Sequence, residues 1–214
     1  MSETTMTVKQ ARALVKIAPK ADVRYCLNGV LIDFENARAV VTDGHKLVAF
    51  NLDNCHPTDG ADSVILGLDD LAGVARGGKQ TDEIIIIGDG DTAVRFVRNG
   101  TETKCKGIDA RYPDYSRVLP DKITGIFAQY NPEYLNQIQD CLRALVDMPD
   151  GYGHFQPNGA KDPQKGGGAG VMTIPGYEDQ AIGVVMPYRP ADSFDVTANP
   201  IPDFLSAGGQ KKVA

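Results

Sequence analysis

The chain has 214 residues, is 42% hydrophobic and 23% charged, and carries a formal net charge of −6. That length suits one large domain or up to two small ones. The acidic balance argues against a surface coated with nucleic-acid-binding charge, though not against a local basic stripe. No apolar run approaches the ~20 residues needed to span a bilayer, and the opening MSETTMTVKQ lacks the basic-then-apolar plan of a signal peptide. A cytoplasmic location is therefore expected. Cys26, Cys55, Cys105 and Cys141 show no metal-site spacing and read as reduced, packed thiols.

In chain order, residues 7–18 predict a helix. Thr7 is its N-cap, Ala11, Leu14, Val15 and Ala18 are its apolar face, and Pro19 is its stop. Residues 23–34 read as a strand bent at Asn28-Gly29. Residues 38–42 and 46–52 read as two more strands, joined by an Asp43-Gly44 hairpin turn. The pattern then repeats. A short strand Ser63–Leu66 precedes a helix Leu68–Arg76 closed by Gly77-Gly78, and three strands follow with turns at Asp89-Gly90 and Asn99-Gly100. A third, abbreviated copy has a strand at Thr124–Tyr130 and a helix from Pro132 to Val146. After it come a Gly/Pro-rich flexible loop at 148–170 and strands at 170–174 and 180–188. About three β-α-β-β(-β) units follow from this. They imply an α+β layered fold, helices on one face of antiparallel sheets, and pseudo-symmetry or assembly into a ring.

Among local motifs, Asp43, His45 and His56 invite a metal or acid–base reading. A metal site needs three or four ligands, and Asp43-Gly44 is already accounted for by turn chemistry. The KGGGAG stretch at 165–170 lacks the Lys-Ser/Thr of a phosphate loop. Lys9, Arg12 and Lys16 lie three and four apart on one helix face. They read either as a solvated face or as a sequence-blind contact to phosphates. No catalytic residue, cofactor or metal is expected.

Four segments resemble the bacterial sliding clamp, the β subunit and processivity factor of the replicative DNA polymerase. They are DVRYCLNGVLIDF (22–34), VVTDGHKLVAF (40–50), GIDARYPDYSRVLP (107–120) and AIGVVMPYRP (181–190), and they occur in the family's order. The resemblance implies a sliding-clamp fold. Residues 1–120 match the family's middle domain and 121–190 the second half of its third domain, with a tail at 191–214. It also implies a hydrophobic pocket that receives short linear peptides of polymerases, the clamp loader and repair proteins. Its matching residues are Arg24, Leu27, Thr42, Gly44, His45, Lys46, Leu47, Pro113, Arg117, Val118, Val184, Val185, Met186, Pro187, Tyr188 and Arg189. In this family the helices line a ring around double-stranded DNA, which makes Lys9, Arg12 and Lys16 DNA-facing candidates, with Lys79 and Arg143 as weaker ones.

The expected function is a non-enzymatic clamp that encircles duplex DNA and tethers a polymerase by peptide docking. Family chains close as dimers of three-domain subunits. A chain of about three half-domain units implies a larger homo-oligomer, with a tetramer supplying the same number of helices. The rival readings are a clamp-derived peptide-binding module that forms no ring, and a small enzyme using Asp43, His45 and His56. Pro202-Asp203-Phe204-Leu205 in the tail resembles a weak pocket-binding peptide.

Overall fold

The computed structural model describes residues 1–19, 21–57, 63–90, 92–161 and 167–188. The first unit comprises β1 (Ser2–Thr7), α1 (Val8–Ile17), β2 (Gly29–Asp33), β3 (Arg38–Thr42) and β4 (Lys46–Asn51). The second comprises β5 (Ser63–Gly67), α2 (Leu68–Ala75), β6 (Glu83–Gly88), β7 (Ala93–Arg98) and β8 (Thr101–Lys106). The third has α3 (Pro132–Leu145), β9 (His154–Gln156), β10 (Gly170–Thr173) and β11 (Ala181–Val185).

Local chemistry explains the helix limits. Thr7 and Gln10 form a reciprocal capping box: the Thr7 hydroxyl accepts from the Gln10 amide at 3.2 Å, and the Thr7 amide donates to Gln10 Oε1 at 2.7 Å. Ala18, held by Pro19 out of the helical region, turns extended at ψ 154 and ends α1. At α3 the Asn131 side chain accepts from the Glu133 amide, Pro132 occupies the first turn, and Arg143 sits at the carbonyl end. Asn99 and Gly100, both at positive φ, make the expected tight turn between β7 and β8.

The units exchange their leading strands. One antiparallel sheet runs β1-β6-β7-β8 and the other β5-β2-β3-β4-β11-β10-β9. Thus β1 joins the sheet of the second unit and β5 joins that of the first. The third unit extends the larger sheet through the β4–β11 pairing, with Ala181 opposite Phe50 and Val184 opposite Leu47. The segments expected as separate domains, 1–120 and 121–190, therefore share one sheet.

Strand alternation gives the larger sheet two buried faces. Val30, Ile32, Val41, Val48, Phe50 and Val185 meet the helices and the smaller sheet in the main core. Leu31, Val40, Leu47, Ile65 and Val184 point the other way. They are covered by Ile108, Ala110, Tyr112, Tyr115 and Val118 from the segment that leaves β8. Burial on both sides explains why these strands read as continuous apolar runs rather than alternating ones. Helix α3 crosses β11 so closely that a Cβ at Gly183 would sit 2.1 Å from Ile138 Cγ2, so only glycine fits there.

Four expectations need correction. Ser2–Thr7 forms a strand that runs directly into the helix, where the sequence predicts only the Thr7 cap. Thr124–Tyr130 is irregular and joins neither sheet. Residues 25–27 make a 3-10 turn rather than the start of a strand, because Leu27 and Asn28 donate back to Arg24 and Tyr25. The 148–170 segment contains β9, paired to β10, so it is not wholly loop. The tail 191–214, with Pro202–Leu205, lies outside the described residues.

Candidate peptide cleft and helix face

The cleft lies where the β3–β4 turn, the end of β11 and the segment after β8 converge. Asp43 organises the turn. Its Oδ1 accepts from the amides of His45 (2.8 Å) and Lys46 (2.9 Å), and its other oxygen takes the Lys46 ammonium. The Thr42 hydroxyl donates to the Lys46 carbonyl at 2.7 Å and accepts from the Gly44 amide at 3.0 Å. Gly44 adopts φ +88, and a Cβ there would press on the Arg24 guanidinium at 2.9 Å. Asp22 holds that guanidinium from the other side, at 2.8 and 3.0 Å. The hydrogen bond from Arg24 lowers the Asp22 carboxyl to about 2, so this pair stays ionised through the physiological range.

The Met186 amide donates to the His45 carbonyl at 2.8 Å, which ties the end of β11 over the turn. On the third side Asp114 caps a 3-10 turn, Tyr115–Val118, accepting from the Ser116 amide and hydroxyl. The result is a cleft of about 120 Å³. Leu27, Leu47 and Val184 are fully buried beneath it, whereas Met186 at its rim is 38% exposed. Whole small-molecule sites occupy ~300–1,000 Å³. A space this size admits one or two side-chain anchors.

Of the residues named by resemblance, Arg24, Leu27, Thr42, Gly44, His45, Lys46, Leu47, Pro113, Val118, Val184 and Met186 line this cleft. The others do not. Val185 points into the helix-side core. The Lys46 side chain also turns to that side, where its ammonium pairs with Asp43 and lies 4.9 Å from the centroid of Tyr134 on α3, so only the rest of Lys46 can serve the cleft. Arg117 is largely exposed and paired with Asp114. Pro187 and Tyr188 pass beyond the cleft, with the Tyr188 amide on the Gln129 carbonyl at 2.9 Å. Arg189 lies outside the described residues. Asp114 and Tyr115 line the cleft but went unnamed, although they sit between Pro113 and Arg117 in the same quoted motif.

The acid–base reading of Asp43, His45 and His56 does not assemble. Asp43 is consumed by its turn and His45 stacks on Tyr134 at 5.9 Å, whereas the backbone of His56 bridges to Glu3 at the edge of the other sheet. Among the described residues no three His, Cys, Asp or Glu side chains group as metal ligands.

On the helix side, Lys9, Arg12 and Lys16 border a groove between α1 and α3, with Gln137 and Asp140 opposite them. Two of these cations are already engaged. Lys9 pairs with Asp147, and Arg12 Nη2 donates to the carbonyls of Ala75 (2.7 Å) and Gly78 (3.1 Å), tying α1 to the end of α2. Arg143 donates to the Gly151 carbonyl and pairs with Asp140 at 3.6 Å. Lys16 and Lys79 are exposed.

Comparison with known proteins agrees with this architecture. The family model described as the DNA polymerase III beta subunit, central domain, matches residues 4–114. The beta sliding clamp of Pseudomonas aeruginosa is 35% identical over 101 residues, 46% of this chain and 28% of that protein. That of Haemophilus influenzae is 35% identical over 118 residues, 54% of this chain and 32% of that one. The chain thus matches less than a third of the length of these relatives. The crystal structure of the DNA polymerase III subunit beta from Pseudomonas aeruginosa superposes with a TM-score of 0.64 at 20% identity. It covers 88% of this chain and 66% of that one, a likeness of fold. No helix among the described residues is long and apolar enough to cross a membrane. With over half its residues matched by the central-domain model, the chain belongs to the non-enzymatic DNA polymerase III beta subunit, or beta sliding clamp, family.

Proposed function

We propose that this protein is a compact DNA sliding clamp. It holds double-stranded DNA without sequence preference and tethers a polymerase or another replication protein by a short peptide docked in the cleft. The carrying observation is a shaped apolar cleft whose floor is rigid and whose rim offers one adaptable anchor. Leu47 and Val184 are locked in the sheet, whereas Met186 is partly exposed and flexible. Arg24 and His45 at the rim supply polar contacts to a docked segment. Tethering of this kind raises the local concentration of a polymerase at its template without a chemical step.

The test is calorimetry with a clamp-binding peptide. Met186→Ala weakens binding by ~1–3 kcal/mol through lost apolar contact. Unchanged affinity overturns the cleft assignment.

A second reading, a peptide-binding module that does not hold DNA, is favoured by one observation. Lys9 and Arg12 are committed to partners within the chain, leaving Lys16 as the exposed cation of the trio. Retention on circular DNA separates the two. For a clamp, replacing Lys9, Arg12 and Lys16 together lowers retention and flattens its salt dependence. For the module, neither the native chain nor the variant is retained.

A further inference from the structure

The strand order contains an incomplete exchange. In the first two units the leading strand crosses to the other unit and pairs beside the first strand after that unit's helix. β1 lies next to β6 over six residues, and β5 lies next to β2 over five. In the third unit both halves of this arrangement are open. The first strand after α3 is β9, which ends the larger sheet and, among the described residues, is paired on one side only. The segment leading into α3, residues 123–130, joins no sheet. It runs across the end of its own sheet. Tyr130 anchors its C-terminal end, buried in the main core with its hydroxyl donating to the Gly168 carbonyl at 3.2 Å and accepting from the Asn158 amide at 2.9 Å. Residues 123–127 ahead of it are held by the Thr124 hydroxyl on the Gly159 carbonyl and by a few backbone bonds. Gly125 donates to Pro157 at 3.1 Å, Gly159 donates to Ile126 at 2.6 Å, and Tyr188 donates to Gln129.

Its composition suits a strand better than that path does. ITGIFAQY carries β-branched and aromatic residues, and Phe127 stands 77% exposed, with Ile123 and Ile126 more than a third exposed. An exposed apolar segment beside an unpaired edge is a surface prepared for another chain. The strand order identifies that chain. The element that completes a third unit is the leading segment of another unit with the same open edge, and each copy of this protein provides one such segment and one such edge.

We infer that two copies of this protein associate through their third units, each laying residues 123–127 along β9 of the other. The contact is isologous, so one two-fold axis satisfies both edges at once. It rebuilds, from two half-domains, the exchange that β1 and β5 make within the first domain. Five extended residues reach ~16 Å, the length of the five-residue β2–β5 ladder and more than the three residues of β9 require. Strand order and the exposed apolar side chains carry this contact, independently of the peptide and DNA readings.

Native mass spectrometry of the full chain at micromolar concentration is the test, with hydrogen exchange measured on the same samples. The expected result is even-numbered assemblies with a dimer as the smallest stable species, and amides of His154–Gln156 slowed at least tenfold. Phe127→Asp gives a monomer with those amides fast again, while its circular dichroism and cleft-peptide affinity stay unchanged. Ile123→Asp, at a second exposed position, gives the same monomer. A monomeric native chain overturns the inference. So does a dimer that survives both substitutions, or one dissolved by them without any change in exchange at 154–156. Loss of peptide affinity in the monomer would implicate the cleft in assembly and also overturn it.

Discussion

The two faces of the β4–β11 seam are built from alternate residues of the same strands and are finished differently. On the helix side Val48, Phe50 and Val185 meet Ile138 and Leu142 of α3 in a closed core, and even the Lys46 ammonium is absorbed by Asp43 and Tyr134. On the other side Leu47 and Val184 meet a single covering segment, which leaves a small cleft above this buried floor between the turn and the partly exposed Met186. The closed face spends its contacts on stability. The open face keeps some for a ligand, and its shape is set by polar bonds at the rim rather than by packing. A substitution should therefore act on folding or on binding according to the face it touches.

The largest expected effect is on the closed face. Ile138 is fully buried and packs against the bare backbone of Gly183. Ile138→Ala costs ~2–5 kcal/mol of stability by leaving a cavity that α3 cannot close. Urea unfolding reads this as a lower midpoint with the same slope, and peptide affinity of the folded protein stays as before. An unchanged midpoint would mean that α3 does not clamp the seam.

Next in size is the glycine that joins the two faces. At φ +88, Gly44→Ala places a side chain in the left-handed region and against the Arg24 guanidinium. The expected loss is ~1–2 kcal/mol of stability. It is accompanied by weaker binding of peptides carrying an acidic residue, since Arg24 must move off the rim. Calorimetry with acidic and neutral peptide variants checks this. Equal losses for both would show that Arg24 takes no part in recognition.

Much of this division was legible in the sequence. The helices followed from their caps and periodicity, and the doubly buried strands from unbroken apolar runs such as Ala39–Val41 and Val64–Leu66. β1 was hidden because its inward positions are Ser2, Thr4 and Met6, which leave no apolar alternation to read. The opposite error at Thr124–Tyr130 has the same root: strand-like composition makes a strand only where an edge accepts it, a non-local fact. At the cleft, the resemblance supplied contiguous runs, whereas a pleated strand sends neighbours to opposite faces. Val184 serves the cleft and Val185 the core. The partners of Lys9 and Arg12 are 138 and 63 residues away along the chain, beyond any local pattern.

The smallest effect concerns the charge pair at the rim. The Asp22 side chain is half-buried but its partner Arg24 is exposed, so their bond is a matter of orientation more than of stability. The Asp22 carboxyl is depressed from the ordinary 3.8 to about 2, chiefly by the Arg24 guanidinium and next by the Arg24 amide. A depressed carboxylate contributes its interaction above the ordinary value and loses it as pH falls through the lowered one. Arg24 is therefore held in place down to about pH 4 and released between pH 4 and 2. A carbon-detected NMR titration should place the Asp22 midpoint near 2 in the native chain and return it toward 3.8 in Arg24→Gln, with the backbone signals of Leu47 and Val184 unmoved. A midpoint already near the ordinary value would mean that the guanidinium is free to swing over the cleft at neutral pH. The open face would then have an adaptable polar rim as well as an adaptable Met186, and its selectivity would have to come from the floor alone.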